Sequence, residues 1–446
     1  MTGRAISSRH AVAVVVALTV CLSLLRLTFL NISAQQATPS ASPASDDVAG
    51  QLPPAWLEFG PGGLLIARVI VDGACPPLTL EGLDLAMTRR TTPTAAFPVI
   101  ACEATIPFGT DTATIADQTL PLPSGSLQRI AVIGDTGCRL NDWEKRYQSC
   151  NDPQQWPFAQ VAASVAAWQP DLIVHVGDYL YRESPCPALG FDCQGSPFGD
   201  NWATWNADFF APASSLLAAA PWVFIRGNHE TCERSPEGWF AYLDTRAYQS
   251  SCQQFTQPYV APLNGVSLAV IDSAEAGDTK VTPDEQTQYA QQFAVLGAMA
   301  PTGSWLVTHR PVWGILEGKT DEFEVENASY QAATDGSLEG DYALIISGHI
   351  HAAESIAFDE DSGKQPQIIS GNAGTALDGL PTASPAAGVL NDSTVAQAET
   401  LSEFGFLTLE SDGENWHATQ RGASGEPLLE CFLDVPEMVC AAADAG

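Results

Sequence analysis

Residues 171–181 read Asp-Leu-Ile-Val-His-Val-Gly-Asp-Tyr-Leu-Tyr, an apolar run broken only by His175 that stops at Gly177 and delivers Asp178. The same shape recurs four times. Ile130-Ala131-Val132-Ile133 runs into Gly134-Asp135-Thr136-Gly137, and Trp222 to Ile225 leads through Arg226 to Gly227-Asn228-His229-Glu230. Trp305-Leu306-Val307-Thr308 ends at His309, and Ala343 to Ile346 leads to Gly348-His349-Ile350-His351. Short, continuous apolar runs are the signature of strands covered on both faces. Helical patterns over Pro157 to Trp168 and Pro283 to Met299 lie between them, so strand and helix alternate and the fold class is a layered α/β domain. In open α/β sheets ligands bind beyond the carboxyl ends of the strands, and here five strand ends bring polar side chains to that edge. A glycine just before the polar residue lets the chain turn sharply there.

Outward from this centre the texture changes. From Trp56 to about Ser126, short apolar runs such as Leu64 to Val71 and Phe97 to Ala101 are separated by Pro, Gly and Thr. This reads as a small all-β module over 53–126, or equally as strands that extend the main sheet. The catalytic domain is expected over 127–411, followed by C-terminal strands and a tail over 412–446.

Composition bounds the function. Apolar residues make up 45% and charged residues 16%, which is enough for a sizeable core. Acidic residues outnumber basic ones 52 to 19, giving a net charge of −33. Such a surface repels phosphate backbones, so a nucleic-acid scaffold is not an expected partner. Residues 1–34 have the shape of a signal peptide: Arg4, Arg9 and His10 precede the apolar run Ala11 to Leu25, and Ile32-Ser33-Ala34 offers a cleavage site. An Ala-, Ser- and Pro-rich linker follows over 35–52. The protein is thus expected to be secreted or periplasmic. The alternative is an uncleaved anchor facing outside, the one route to a membrane partner. Ten cysteines remain beyond the leader, an even number that points to disulfides of open connectivity. The number of subunits is not legible in the sequence.

The strand ends supply Asp135, Asp178, Tyr181, Asn228, His309, His349 and His351, with His229 beside them. Seven donors are too many for one ion. They suit a binuclear centre, two metals about 3.5–4 Å apart sharing one carboxylate, as in metal-assisted hydrolysis of phosphate esters. Imidazole, carboxylate and amide donors without thiolate suit Zn, Fe or Mn.

The order Asp135-x-Gly137, Gly177-Asp178-x-x-Tyr181, Gly227-Asn228-His229-Glu230, x-x-His309 and Gly348-His349-x-His351 resembles the calcineurin-like metallophosphoesterases. Within them it resembles the purple acid phosphatase branch, because Gly137 stands where most of the superfamily has a metal-binding His and Tyr181 lies three residues after Asp178. The resemblance covers about Gln128 to Gly374 and implies the layered fold of that superfamily, β-sheets flanked by helices, behind the N-terminal β module. It implies Fe(III) held by Asp135, Asp178, Tyr181 and His351, and a divalent Fe, Zn or Mn held by Asp178, Asn228, His309 and His349. It implies a substrate-contacting, catalytic role for His229 beside Asp178 and Asn228. The function that follows is an exported phosphatase that hydrolyses phosphate monoesters, by attack of a metal-bound hydroxide at acidic pH. Two other readings use the same residues: a phosphodiesterase or nucleotide hydrolase on this site, and a non-catalytic surface module on this scaffold.

Leu306 stands where the branch usually has Val, and Pro311 to Thr320 carries Trp313 and Glu317 but not the His common there. The resemblance therefore supplies no proton donor from that block. Arg182, Arg226 and Arg310 each adjoin a motif and are candidate phosphate ligands, with an ion pair to a neighbouring acid as the alternative. His175, inside a strand, is expected to be a core residue. Cys138, Cys186 and Cys232 each follow a site loop, and pairing with Cys150, Cys193 and Cys252 would hold those loops.

Overall fold

The computed structural model describes residues 52–123, 125–315, 327–334, 338, 340–379, 389–390, 393–434 and 437–443; the expected signal peptide, nearly all of the linker and Glu317 lie outside them. Two large sheets dominate. The first has eleven strands, the second eight, and a four-stranded sheet stands apart. At the centre of the first sheet Arg129–Ile133, Leu172–His175 and Trp222–Phe224 run parallel. At the centre of the second Val266–Val270, Ser304–Val307, Tyr342–Ser347 and Gln367–Ser370 run parallel. Five of these seven strands are the apolar runs read from the sequence, and Ser304–Val307 has one register shift against Tyr342–Ser347.

Alternation along each run decides the layers. Ile130, Val132, Val174 and Ile225 of the first sheet share a buried cluster with Leu268, Val307 and Ile346 of the second, so the two sheets pack face to face. The intervening residues Ala131, Ile133 and Ile173 face outward, against Phe158, Val161 and Val165 of the helix Phe158–Trp168. On the far side Ala269, Leu306 and Ile345 pack under Tyr289, Phe293 and Leu296 of the helix Pro283–Met299. That helix begins as its sequence dictates: Pro283 occupies the first turn, and Thr282 and Glu285 cap it reciprocally. The result is a helix–sheet–sheet–helix sandwich, the layered α/β class expected.

The N-terminal region contributes to two sheets. Trp56–Phe59 pairs in parallel with Trp222–Phe224, and Leu65–Val71, Ile100–Ile106 and Thr88–Arg89 follow it to the edge of the first sheet. Pro77–Leu80, Leu83–Ala86, Ala113–Ile115 and Gln118–Thr119 form the separate four-stranded sheet. Arg68 and Arg90 from this region donate to the carbonyls of Phe240, Ala241, Tyr242 and Asp244, closing the carboxyl end of the helix Gly238–Tyr242. At the other edge Gly405–Ser411, Trp416–Gly422, Pro427–Asp434 and Glu437–Ala442 continue the first sheet as an antiparallel meander.

The ten cysteines among the described residues are paired in chain order: Cys75–Cys102, Cys138–Cys150, Cys186–Cys193, Cys232–Cys252 and Cys431–Cys440. Five disulfides fit an oxidising compartment. No helix among the described residues is long and apolar enough to cross a membrane.

Candidate metal centre

The parallel strands of both sheets end at one edge, and the loops that follow bring the chemistry together. Asp135, Asp178 and His349 all adopt positive φ (56°, 60° and 73°), a region that non-glycine residues enter rarely and at a cost. Three strained backbones at three strand ends mark a site where side-chain direction outweighs local comfort. The neighbouring glycines make room: a Cβ on Gly348 would stand 2.6 Å from Asp135 Oδ2, and one on Gly227 would collide with Asp178. Gly137 has the same reason. A Cβ there would stand 2.5 Å from the carbonyl of Tyr179 and 2.8 Å from the amide of Tyr181, so the loop carrying the phenol excludes any side chain.

Tyr181 Oη lies 2.9 Å from Asp135 Oδ1, 2.8 Å from Asp178 Oδ2 and 3.0 Å from His351 Nε2, all buried. A hydroxyl has one proton and can serve only one of the two carboxylates. A cation among the four satisfies them all, and the donor set fits a metal on that ground. The second half is similar. His309 Nδ1 donates to the carbonyl of Val176 at 2.8 Å, which leaves Nε2 facing Asn228 Oδ1 at 2.9 Å and Asp178 Oδ2 at 3.2 Å. Asp178, His309 and His349 offer ligand atoms within 4.8 Å of one another, a group that could hold a metal ion. Asp178 faces both halves. The structure thus gathers all seven predicted donors at this edge.

The electrostatics match. Burial, then the Asp178 charge, pushes the Asp135 carboxyl up, and burial with both carboxylates pushes the Tyr181 phenol up. Burial would raise Asp178 too, but His309 and His229 hold it well below the usual range. Burial, then Arg310, draws His349 down to about 4, and burial draws His351 well down. Both shifts favour the neutral imidazole, the state a ligand needs.

Two buried carboxylates that sequence reasoning missed hold the ligand loops. Glu230 accepts four backbone N–H groups, from Asp178 (3.1 Å), Tyr179 (2.8 Å), Leu180 (3.1 Å) and Gly227 (3.1 Å). Asp208 accepts from the amides of Cys138, Tyr181 and Arg182 and from Arg182 Nε. Each thus fixes the loop that carries both Asp178 and Tyr181. Glu230 had a signal, since it directly follows the Asn228-His229 pair; Asp208, in the segment Asn206–Phe210, had none. Two more acids stand behind histidines. Asp378 Oδ2 accepts from the amide of His351 at 3.0 Å, and Asp278 Oδ2 is 3.3 Å from His349 Nε2.

The His229 ring lies against that of Tyr181, tilted by 37° with centroids 3.7 Å apart; its Nδ1 is 3.0 Å from Glu183 Oε1 and its Nε2 3.7 Å from Asp178 Oδ2. Of the three motif-flanking arginines, Arg310 reaches the centre, with Nη1 3.1 Å from His349 Nε2. Arg182 is engaged in a buried ion pair with Asp208, and Arg226 in one with Asp272 while also capping carbonyls of Glu230, Gln253 and Gln254. His175 is buried between Thr136, the amide of Gly177 and the ring of Tyr179, a core residue as expected.

No curated protein matches the sequence. Among solved structures, purple acid phosphatase PPD1 from yellow lupin seeds aligns with a TM-score of 0.52 at 12% identity, over 88% of this chain and 74% of that one. A structure of PhoD aligns at 11% identity over 88% and 90% with a TM-score of 0.47. A dimetal phosphatase from Danio rerio aligns at 12% over 69% and 99% with a TM-score of 0.40. At such identities the lupin enzyme speaks for the fold alone, and the other two carry no argument. The calcineurin-like phosphoesterase profile matches residues 128–353, just over half of the sequence and the whole span from Asp135 to His351, and the chain therefore belongs to the calcineurin-like phosphoesterase family.

Proposed function

We propose that the protein is an exported binuclear metallophosphatase of the purple acid phosphatase kind, acting on phosphate monoesters in acid. The observation that carries this reading is the position of Tyr181 Oη, within 3.0 Å of Asp135, Asp178 and His351. A phenol there gives one half of the centre a hard, anionic donor set suited to Fe(III), and leaves Asp178, Asn228, His309 and His349 for a divalent Fe, Zn or Mn. When bound, the metal pair supplies a nucleophilic hydroxide from water and polarises the phosphoryl group. The chain's own residues do the rest. Asp178 spans the two halves and keeps them in register. Asn228 Oδ1 and His309 Nε2 lie 2.9 Å apart, side by side as two ligands of one cation would be, and His309 is fixed from behind by the carbonyl of Val176. His229 is fixed by Glu183 at Nδ1, and its Nε2 is the atom assigned to the substrate oxygen and to the proton that the leaving group needs. The five disulfides support export.

The test compares 4-nitrophenyl phosphate with bis(4-nitrophenyl) phosphate on protein loaded with iron and zinc, between pH 4 and 8. Hydrolysis of the monoester with an acid optimum, well above the diester, supports the reading. A diester preference moves the protein to the phosphodiesterase alternative, and no turnover of either favours the non-catalytic one.

A further inference from the structure

Three arginines end on the histidines of the centre, in a chain with only 19 basic residues against 52 acidic ones. Arg139 Nη2 is 3.3 Å from His351 Nε2, and its guanidinium lies 4.9 Å over the Tyr181 ring. Arg234 Nη2 is 3.0 Å from both ring nitrogens of His229, and Arg310 Nη1 is 3.1 Å from His349 Nε2. They come from three separate loops. Each is tied by a carboxylate: Arg139 to Glu144 at 2.7 Å, Arg234 to Glu183 at 2.6 Å, and Arg310 to Asp278.

Support of the histidines does not account for them. A histidine ring is oriented by an acceptor: Glu183 stands 3.0 Å from Nδ1 of His229 and Asp378 3.4 Å from Nδ1 of His351, while Asp278 shares Nε2 of His349 with Arg310. A guanidinium has only donors and cannot take that part. What the arginines add is positive charge and planar N–H forks, placed beside His351, His229 and His349. One phosphate monoester is neutralised by the metals themselves. Three forks around them suit further phosphate oxygens, which guanidinium groups bind in bidentate fashion.

Building on the phosphatase reading, we propose that Arg139, Arg234 and Arg310 form an anion cradle, and that the preferred substrate carries a second phosphate close to the one removed. That phosphate is either joined to the first through oxygen, as in a nucleoside diphosphate, or attached to a nearby carbon, as in a polyol bisphosphate. The arginines hold the phosphate that does not react, so their contribution is to substrate affinity.

The experiment measures kcat and KM of the metal-loaded protein for ADP, for a polyol bisphosphate and for 4-nitrophenyl phosphate, in wild type and in Arg139→Gln and Arg234→Gln. Wild type should favour one of the first two by about tenfold or more in kcat/KM. Each substitution should cut that preference by about tenfold through KM, the effect of one charged hydrogen bond. A wild-type preference for the aryl ester, or variants that lower all three substrates alike, overturns the proposal. Calorimetry needs no turnover: methylenebisphosphonate should bind wild type about tenfold more tightly than phenylphosphonate, and Arg139→Gln and Arg234→Gln should remove most of that ratio, whereas a ratio unchanged in the variants reports the metals alone and overturns the cradle. Equal affinities overturn the cradle. Absence of turnover on every ester counts against the phosphatase reading instead, and the calorimetric ratio still decides the cradle.

Discussion

Replacing Glu230, whose carboxyl burial and then the Asp178 charge push up to about 8, with Gln changes almost no volume, yet it should disable the metal centre. The carboxylate is fully buried and receives four backbone N–H groups, two at each oxygen. A Gln side chain keeps one oxygen for two of those donors and turns its NH2 against the other two. Two buried N–H groups lose their acceptor, at about 1–3 kcal/mol each, so the substitution should cost about 2–6 kcal/mol. That is a large share of the roughly 5–15 kcal/mol that holds a domain together. The four amides belong to Asp178, Tyr179, Leu180 and Gly227, so the loss falls on the backbone that aims Asp178 and Tyr181. The assay is urea denaturation of the chelated protein together with metal content after reloading. Glu230→Gln should unfold at markedly lower urea and retain less than one metal per chain. An unchanged midpoint with full metal content would refute the argument that this carboxylate sets the ligand loop.

Other consequences are open to the same tools. Gly137→Ala places a Cβ against the backbone of Tyr179 and Tyr181, which cannot yield as a side chain can; melting should show a loss of about 1–3 kcal/mol, with iron content falling. Glu58, buried beside Arg68 at 2.8 Å, has its carboxyl pushed up to about 7, by burial above all. Because the folded protein holds that proton more tightly than the unfolded chain, its stabilising effect is complete below about pH 4.5. It disappears as pH rises toward 7, a change of about 3 kcal/mol. Urea melts between pH 4.5 and 8 should show this decline in wild type and not in Glu58→Gln, and parallel curves would exclude it. The Cys232–Cys252 sulfurs lie 3.9 and 3.7 Å from Arg226 Nη2, and Arg226 Nε donates to the carbonyl of Glu230, so this disulfide is coupled to the Asn228–Glu230 turn. Reduction without denaturant should lower metal occupancy; full occupancy after complete reduction would show that the bridge serves general stability only.

The strand ends were legible because parallel strands buried on both faces need unbroken apolar runs, and the turn that follows must contain glycine where a ligand crowds the backbone. The helix Pro283–Met299 was legible for an equally local reason, its capping box and first-turn proline. What was not legible depends on contacts between distant segments. Arg139 meets His351 across 212 positions, and Asp378 meets the amide of His351 from a loop that carries no motif. Trp56–Phe59 looks like any short β run until it pairs with Trp222–Phe224. Asp208 resembles an ordinary acid on a helical turn, and only the loops that fold over it turn it into an acceptor for three amides. The ligands announce themselves locally, and the residues that aim them do not.

The most direct measurement is the visible absorption spectrum of purified protein, with metal analysis, in wild type and Tyr181→Phe. The account predicts two metals per chain, iron among them, and a phenolate-to-iron charge-transfer band that the substitution abolishes. Iron-loaded protein whose spectrum is the same with and without the Tyr181 hydroxyl would contradict it.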